Sequence, residues 1–275
     1  MGGILPLTTA DIGRSTRSRV ASSSLSSSGR RGSATVGGGV RIPRILRRIW
    51  RPRTLDFEVA AWEVVQLVMS PRQVQNSLWY RKQTKNQWAR DDPSFVLLQC
   101  AMLAVSAIAW GLSYSRGFFS ILKLIIYMVG VDFLLVGVVI ATVGWLFAER
   151  VLKRRGMNTA DSGFGAHGEM EWAYCFDVHC NGFLYIWLLL YVAQFVMLLI
   201  FRPGGLMGTL IGNTLYFGAF SMYFYATFMG YATMPFLEHT ELLLVPIGVF
   251  AVIYLGSLLF GFSMVQTMLR VYFGS

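Results

Sequence analysis

Apolar and polar residues fall in blocks along this chain. Up to residue 94 the sequence is polar and basic, and beyond it five apolar runs follow, parted by shorter polar stretches. Runs of roughly 18–25 residues suffice to cross about 30 Å of hydrocarbon, so the pattern predicts membrane-spanning helices at 95–112, 122–147, 183–201, 206–229 and 242–262. Asp92-Pro93 supplies the cap and first turn of the first span, and Arg202-Pro203-Gly204-Gly205 breaks the chain between the third and fourth. The fold class expected is an all-α integral membrane protein, with five transmembrane helices in residues 95–275.

The polar part divides in two. Residues 1–40 are rich in Ser, Arg and Gly, with Ser22-Ser23-Ser24, Ser26-Ser27-Ser28 and Gly37-Gly38-Gly39, and bury too little to order themselves. They read as a disordered basic tail; the same composition also suits an organelle transit peptide. Residues 41–94 read as cytosolic interfacial helices. Ile42, Ile45, Leu46, Ile49 and Trp50 share one helical face, and Arg41, Arg44, Arg47, Arg48 and Arg51 fill much of the rest. That pattern fits a helix lying on an anionic leaflet, with Trp50 at headgroup depth. A second amphipathic helix is expected at 55–69, its apolar face formed by Phe57, Ala60, Ala61, Val64, Val65 and Val68. Ser70-Pro71-Arg72-Gln73 carries the signature of a new helix start.

Composition agrees with the blocks. Hydrophobic residues make up 55% of the 275 and charged residues 14%, and the mean hydropathy is +0.52; a soluble domain carries about 25% charge. The net charge of +10 belongs wholly to residues 1–94, since basic and acidic groups cancel beyond them. The loop after the second run holds Arg150, Lys153, Arg154 and Arg155, whereas those after the first and third hold only Arg116 and Arg202. Basic loops stay cytosolic, which predicts a cytosolic N-terminus and a lumenal C-terminus.

Chemistry has few places to sit. Asp132 falls in the middle of the second run, where a carboxylate costs at least about 2.5 kcal/mol and must face protein or water. It is a candidate ion or proton site, or a hydrogen-bonded packing residue. Lys123, nine positions earlier and nearly on the opposite face, reads as an interfacial lysine. Gly130, Gly137 and Gly144 recur every seven residues and Gly204, Gly208 and Gly212 every four, a spacing for close helix packing. Asn213 follows directly and can hydrogen-bond between helices. Asp177, His179 and Asn181 alternate before the third run, in what reads as a loop with an interfacial polar belt. Cys100, Cys175 and Cys180 form neither a disulfide framework nor a zinc ribbon and read as packing residues. The sequence shows no nucleotide loop, nucleophile elbow or metalloprotease motif, and no cofactor is expected.

One segment has an order that composition does not require: Tyr80-Arg81-Lys82-Gln83-Thr84-Lys85, then Gln87-Trp88-Ala89-Arg90-Asp91-Asp92-Pro93. With Asp56-Phe57-Glu58, Ser70-Pro71, Asp132, Ile140-Ala141-Thr142, Glu171-Trp172, Phe176-Asp177-Val178-His179, Gly212-Asn213-Thr214-Leu215, Gly230-Tyr231 and Pro235-Phe236-Leu237, it resembles the uncoordinated-fifty family over about residues 47–265. The resemblance implies a multi-pass membrane protein of the Golgi and early secretory pathway, with the endoplasmic reticulum or inner nuclear membrane as alternatives. It implies roles in assembly and surface delivery of nicotinic acetylcholine receptors and association with guanine-nucleotide exchange factors for Arf GTPases. RNA binding is attributed to one member, and the basic tail is compatible with it. No catalytic residues come with the family, so no enzyme is expected.

Three classes of function compete. In the first, an adaptor or scaffold in vesicular trafficking, Arg81, Lys82, Lys85, Trp88, Arg90, Asp91 and Asp92 present a partner-binding surface, and Arg41, Arg44, Arg47, Arg48, Trp50 and Arg51 hold anionic lipid. The second is transport or lipid handling through Asp132, Asn213 and the Asp177/His179 belt. The third is a membrane enzyme with a metal at Asp177 and His179.

Overall fold

A computed structural model describes residues 55–71, 88–90, 92–114, 117–153, 170–201 and 205–274. The basic helix expected at 41–53 and the tail before it lie outside them. Regular structure among the described residues is helical, apart from an isolated bridge between Lys153 and Leu237. The helices are α1 Phe57–Met69, α2 Ser94–Tyr114, α3 Phe118–Leu152, α4 Trp172–Ile200, α5 Leu206–Ala232, α6 Thr240–Leu259 and α7 Met264–Phe273.

Among the described residues, α2, α3, α4 and α6 are long and apolar enough to cross a membrane. The fourth expected span, 206–229, forms a helix of 27 residues but is not apolar enough to join them, so four of the five expected spans qualify by length and composition. The reason lies in its surroundings. α5 packs against α4, α6 and α7, so Asn213, Ala219, Tyr223 and Ala226 meet protein rather than hydrocarbon. A helix shielded in this way tolerates the Thr, Ser, Gly and Tyr residues that lower its hydropathy.

The third helix differs from expectation at its start. It begins at Trp172, eleven positions before 183, and the stretch read as a loop makes its first turns. Polar residues there misled the reading because they point at other elements: Tyr174, His179 and Cys180 are buried. α7 was not foreseen at all. Its fold-back puts Val265 and Leu269 inward, one turn apart. The Ser263 hydroxyl caps it by accepting from Gln266 N at 3.4 Å, and Gly274 ends it with φ +67°.

Close approach holds the bundle where lipid gives apolar faces no reason to hide. A Cβ on Gly182 of α4 would stand 2.7 Å from the Tyr223 ring of α5, and one on Gly230 of α5 2.8 Å from Val178 of α4. The seven-residue glycine repeat is used in part: Gly137 receives the His179 ring, whereas Gly130 faces open space. At one end of the bundle, Glu238 N donates to Leu152 O at 2.7 Å. The α3–α4 and α5–α6 connections therefore share that end.

α1 lies against α2 and α4. Ala60 and Leu67 are buried there, and the Tyr185 hydroxyl donates to Leu67 O at 2.7 Å. The apolar face expected from periodicity is split: Phe57, Val65 and Val68 are exposed together with Val59 and Trp62. Ala60, Val64 and Leu67 turn toward the bundle, as does Glu63.

Candidate functional site

Two polar clusters stand out in the interior. The first closes the bundle end where α4 begins. Glu171, just before α4, accepts from Trp88 N at 3.2 Å to both carboxylate oxygens and from Ala89 N at 3.1 Å. One turn into α4, Asp177 Oδ2 accepts from Arg90 N at 2.6 Å. The Arg90 guanidinium then reaches three elements: Nε donates to Glu63 of α1 at 3.1 Å, Nη2 donates to Asn181 of α4 at 2.8 Å, and Cζ lies 4.1 Å from the centre of the Phe95 ring of α2. Its Nη1 is 4.0 Å from Asp177 Oδ1. The planar fork suits this job, because it donates in several directions at fixed angles and stacks on a ring at once.

Trp88, 4% exposed, sets its ring edge-on to Tyr174, and the Tyr174 hydroxyl donates to Gly230 O at 2.7 Å. Nearby, Glu149 of α3 accepts from Lys153 Nζ and from Met170 N, each at 2.8 Å. These bonds tie residues 88–90 to α1, α2 and α4, and fix the start of α4 to α3. Trp88 and Arg90, expected on a partner-binding surface, thus face inward. Among the other residues of that surface, Asp92 is described, half-buried before α2. Arg81, Lys82, Lys85 and Asp91, and the lipid-facing candidates Arg41, Arg44, Arg47, Arg48, Trp50 and Arg51, lie outside the described residues.

The second cluster lies within the apolar helices. Asp132 sits in a π-helical stretch of α3, Tyr127–Leu135, and Tyr191 in another of α4, Trp187–Ala193. Wider turns re-aim side chains and recur at functional positions. Here they bring the Tyr191 hydroxyl to Asp132 Oδ2 at 3.1 Å, and the Tyr272 hydroxyl of α7 donates to the same oxygen. The Tyr191 carbonyl, in its wide turn, accepts from Trp110 Nε1 at 2.9 Å. Asp132 has no ion-pair partner among the described residues. Lys123 is exposed elsewhere on α3.

Asp132 opens on a cavity of about 360 Å³ lined by α3, α4, α5, α6 and α7 and by Trp110 of α2. His179 also lines it, with Nδ1 at 2.9 Å from the Tyr223 hydroxyl and its ring against Phe133 and Phe183. Asp177 and His179, two positions apart on α4, therefore serve different clusters and form no shared belt or metal pair. Among the described residues no group of three or more His, Cys, Asp or Glu side chains is placed to hold a metal. Asn213 is placed in neither cluster. Its Nδ2 donates to Ser257 Oγ at 2.9 Å and to Phe262 O at 2.7 Å, and its Oδ1 accepts from Met264 N at 3.0 Å. It is a three-way tie between α5, α6 and the start of α7.

Sequence reasoning missed Glu63, Asn181 and Glu171 as partners of the 88–90 segment, although Glu171 stood in one of the resemblance motifs. It missed Tyr191 and Tyr272 entirely. Nothing local marks them; only an unpaired carboxylate in an apolar run signals that donors must exist elsewhere.

The described residues define a helical protein with four helices long and apolar enough to cross a membrane, a polar joint at one end and a cavity beside a carboxylate within those helices. The chain belongs to the UNC-50 family, whose model matches residues 45–273. It is 36% identical over 234 residues to "Protein unc-50 homolog" of Dictyostelium discoideum, covering 85% of this chain and 88% of that one. It is 38% identical over 243 residues to the Homo sapiens protein of the same name, covering 88% and 91%. With "Protein GMH1" of Saccharomyces cerevisiae the identity is 41% over 234 residues, covering 80% and 83%. No solved structure matches the chain. The family read from the motifs is borne out, and three of those motifs meet at the joint, through residues 88–90, Glu171 and Asp177.

Proposed function

We propose that this protein is a multi-pass component of Golgi and early secretory membranes that acts as an adaptor or scaffold in vesicular trafficking and in delivery of membrane cargo, without enzymatic activity. The observation that carries the reading is the joint. Residues 88–90 are held by Glu63, Glu171, Asp177 and Asn181, a fixed anchor that follows directly in sequence after the basic residues Arg81, Lys82 and Lys85. An adaptor needs such an anchor to transmit the position of its cargo to a cytosolic partner. In this reading α5 crosses the membrane as a fifth span, shielded from lipid by α4, α6 and α7. The N-terminus and the end carrying Lys153 and Glu238 are cytosolic, and the C-terminus is lumenal. The partner class is an Arf guanine-nucleotide exchange factor, as the family resemblance implies.

The test is co-purification of the tagged full-length chain from Golgi membranes in mild detergent. The double variant Arg81→Glu, Lys85→Glu is expected to recover several-fold less exchange factor at unchanged expression. Recovery equal to wild type from a well-expressed variant would overturn the proposal.

A further inference from the structure

The cavity beside Asp132 has a chemistry that the adaptor reading leaves unused. It runs along α4 from His179 to Gln194, fifteen positions and roughly 20 Å at helical rise. Its volume of about 360 Å³ lies in the range of small-molecule sites, about 300–1,000 Å³. The walls are aromatic and aliphatic, with Phe183, Leu190, Phe220 and Phe250 among them. Val136 and Ile140 on its rim are more than a third exposed, so it opens on the outer face of helices suited to lipid.

His179 and Tyr223 make one end of the cavity polar, with His179 Nε2 lacking a hydrogen-bond partner among the described residues; the charged feature lies toward the α7 side. Asp132 is there with the Tyr191 and Tyr272 hydroxyls. Trp110 and Phe273, stacked with centroids 6.2 Å apart, line the same region, and Tyr127 packs edge-on against Tyr272. Gln194 lines the cavity too; it is 3% exposed, and its Oε1 has no hydrogen-bond partner among the described residues. A carboxylate without a cation among the described residues and a surround of aromatic rings ask for one kind of group. It must be cationic and donate hydrogen bonds, and aromatic faces favour an ammonium. The apolar remainder asks for a single slender chain.

We infer that this cavity is a binding site for a long-chain amine, its ammonium at Asp132 among Tyr191, Tyr272 and Trp110 and its chain along α4 toward Ile140. The inference stands apart from the adaptor role, because no residue of the joint takes part.

The test uses the purified full-length protein in nanodiscs, with a photo-crosslinkable octadecylamine as probe. Photo-crosslinkable palmitate and a photo-crosslinkable sterol serve as comparison probes. The amine is expected to label α3, α4 or α7 peptides lining the cavity, and to do so several-fold more than either comparison. Asp132→Asn keeps shape and hydrogen-bonding capacity and removes the charge; it is expected to lower amine labelling at least about tenfold, as loss of a buried charge pair does. Ile140→Trp shortens the far end, and is expected to weaken octadecylamine while sparing dodecylamine, a split that general unfolding does not produce. Equal labelling by palmitate or the sterol, or full amine labelling of both variants, would overturn the inference.

Discussion

At the scale of single residues, Arg90 carries the most structure per atom. Its side chain is 7% exposed and serves Glu63, Asn181, Asp177 and Phe95 together. Removing it takes a nearly buried cation from Glu63 and Asp177, and losses of this kind cost about 3–5 kcal/mol. Arg90→Ala is expected to lower the thermal midpoint of the detergent-purified protein sharply, with Arg90→Lys intermediate because a point charge cannot reproduce the fork. Two glycines give an opposed pair. Gly182→Ala presses on the buried Tyr223 ring and is expected to cost about 1–3 kcal/mol, whereas Gly130→Ala meets open space and is expected to leave the midpoint unchanged. Gly130 and Gly137 share a heptad spacing and look alike in sequence, yet the packing of a neighbouring helix separates them, since only Gly137 receives a ring, that of His179. Asp132 was legible because a carboxylate in an apolar run is anomalous wherever it occurs. Its donors were not, since Tyr191 is 59 positions away and Tyr272 is 140, and tyrosines are ordinary in membrane helices.

At the scale of elements, apolar runs announced the helices but not where they begin. Hydropathy reports where a helix could touch lipid. The first turns of α4 touch protein instead, so Asp177, His179 and Asn181 read as loop although each has a partner on another element or a neighbouring segment. α7 escaped for the opposite reason. Its ten residues are too few to stand out beside spans twice as long, even though Ser263 and Gly274 bracket it with a cap at each end. Its hold on the bundle depends on Asn213, which bonds Ser257, Phe262 and Met264. Each such bond contributes about 1 kcal/mol, so Asn213→Ala is expected to speed amide exchange across 264–273 by about tenfold or more, with exchange in α2 unchanged. Uniform acceleration throughout the chain would show that α7 does not open as a local unit.

At the scale of the whole molecule, connectivity and one contact fix which loops share an end. The meeting of Leu152 and Glu238 puts the α3–α4 and α5–α6 connections together, and the far ends of α3 and α6, at Phe118 and Phe260, lie at the other. Single cysteines introduced at 118, 238 and 260, in a background without Cys100, Cys175 and Cys180, are expected to react with an impermeant maleimide from opposite faces of sealed vesicles: 118 and 260 from one, 238 from the other. Reaction of 238 and 260 from the same face would mean that α6 does not cross. α6 itself is the least enclosed of the four candidate spans, with 6% of its apolar window buried within the chain, and it leans on α5. The position of Tyr272 also has a consequence for how the molecule is made. Every other element around Asp132 is translated before α7, so until α7 is made the carboxylate has one of its two donors, Tyr191, and its cavity lacks a wall. The centre of the bundle is therefore finished only when α7 arrives, and a nascent protein halted anywhere before residue 272 holds an acid among apolar helices still waiting for its second donor.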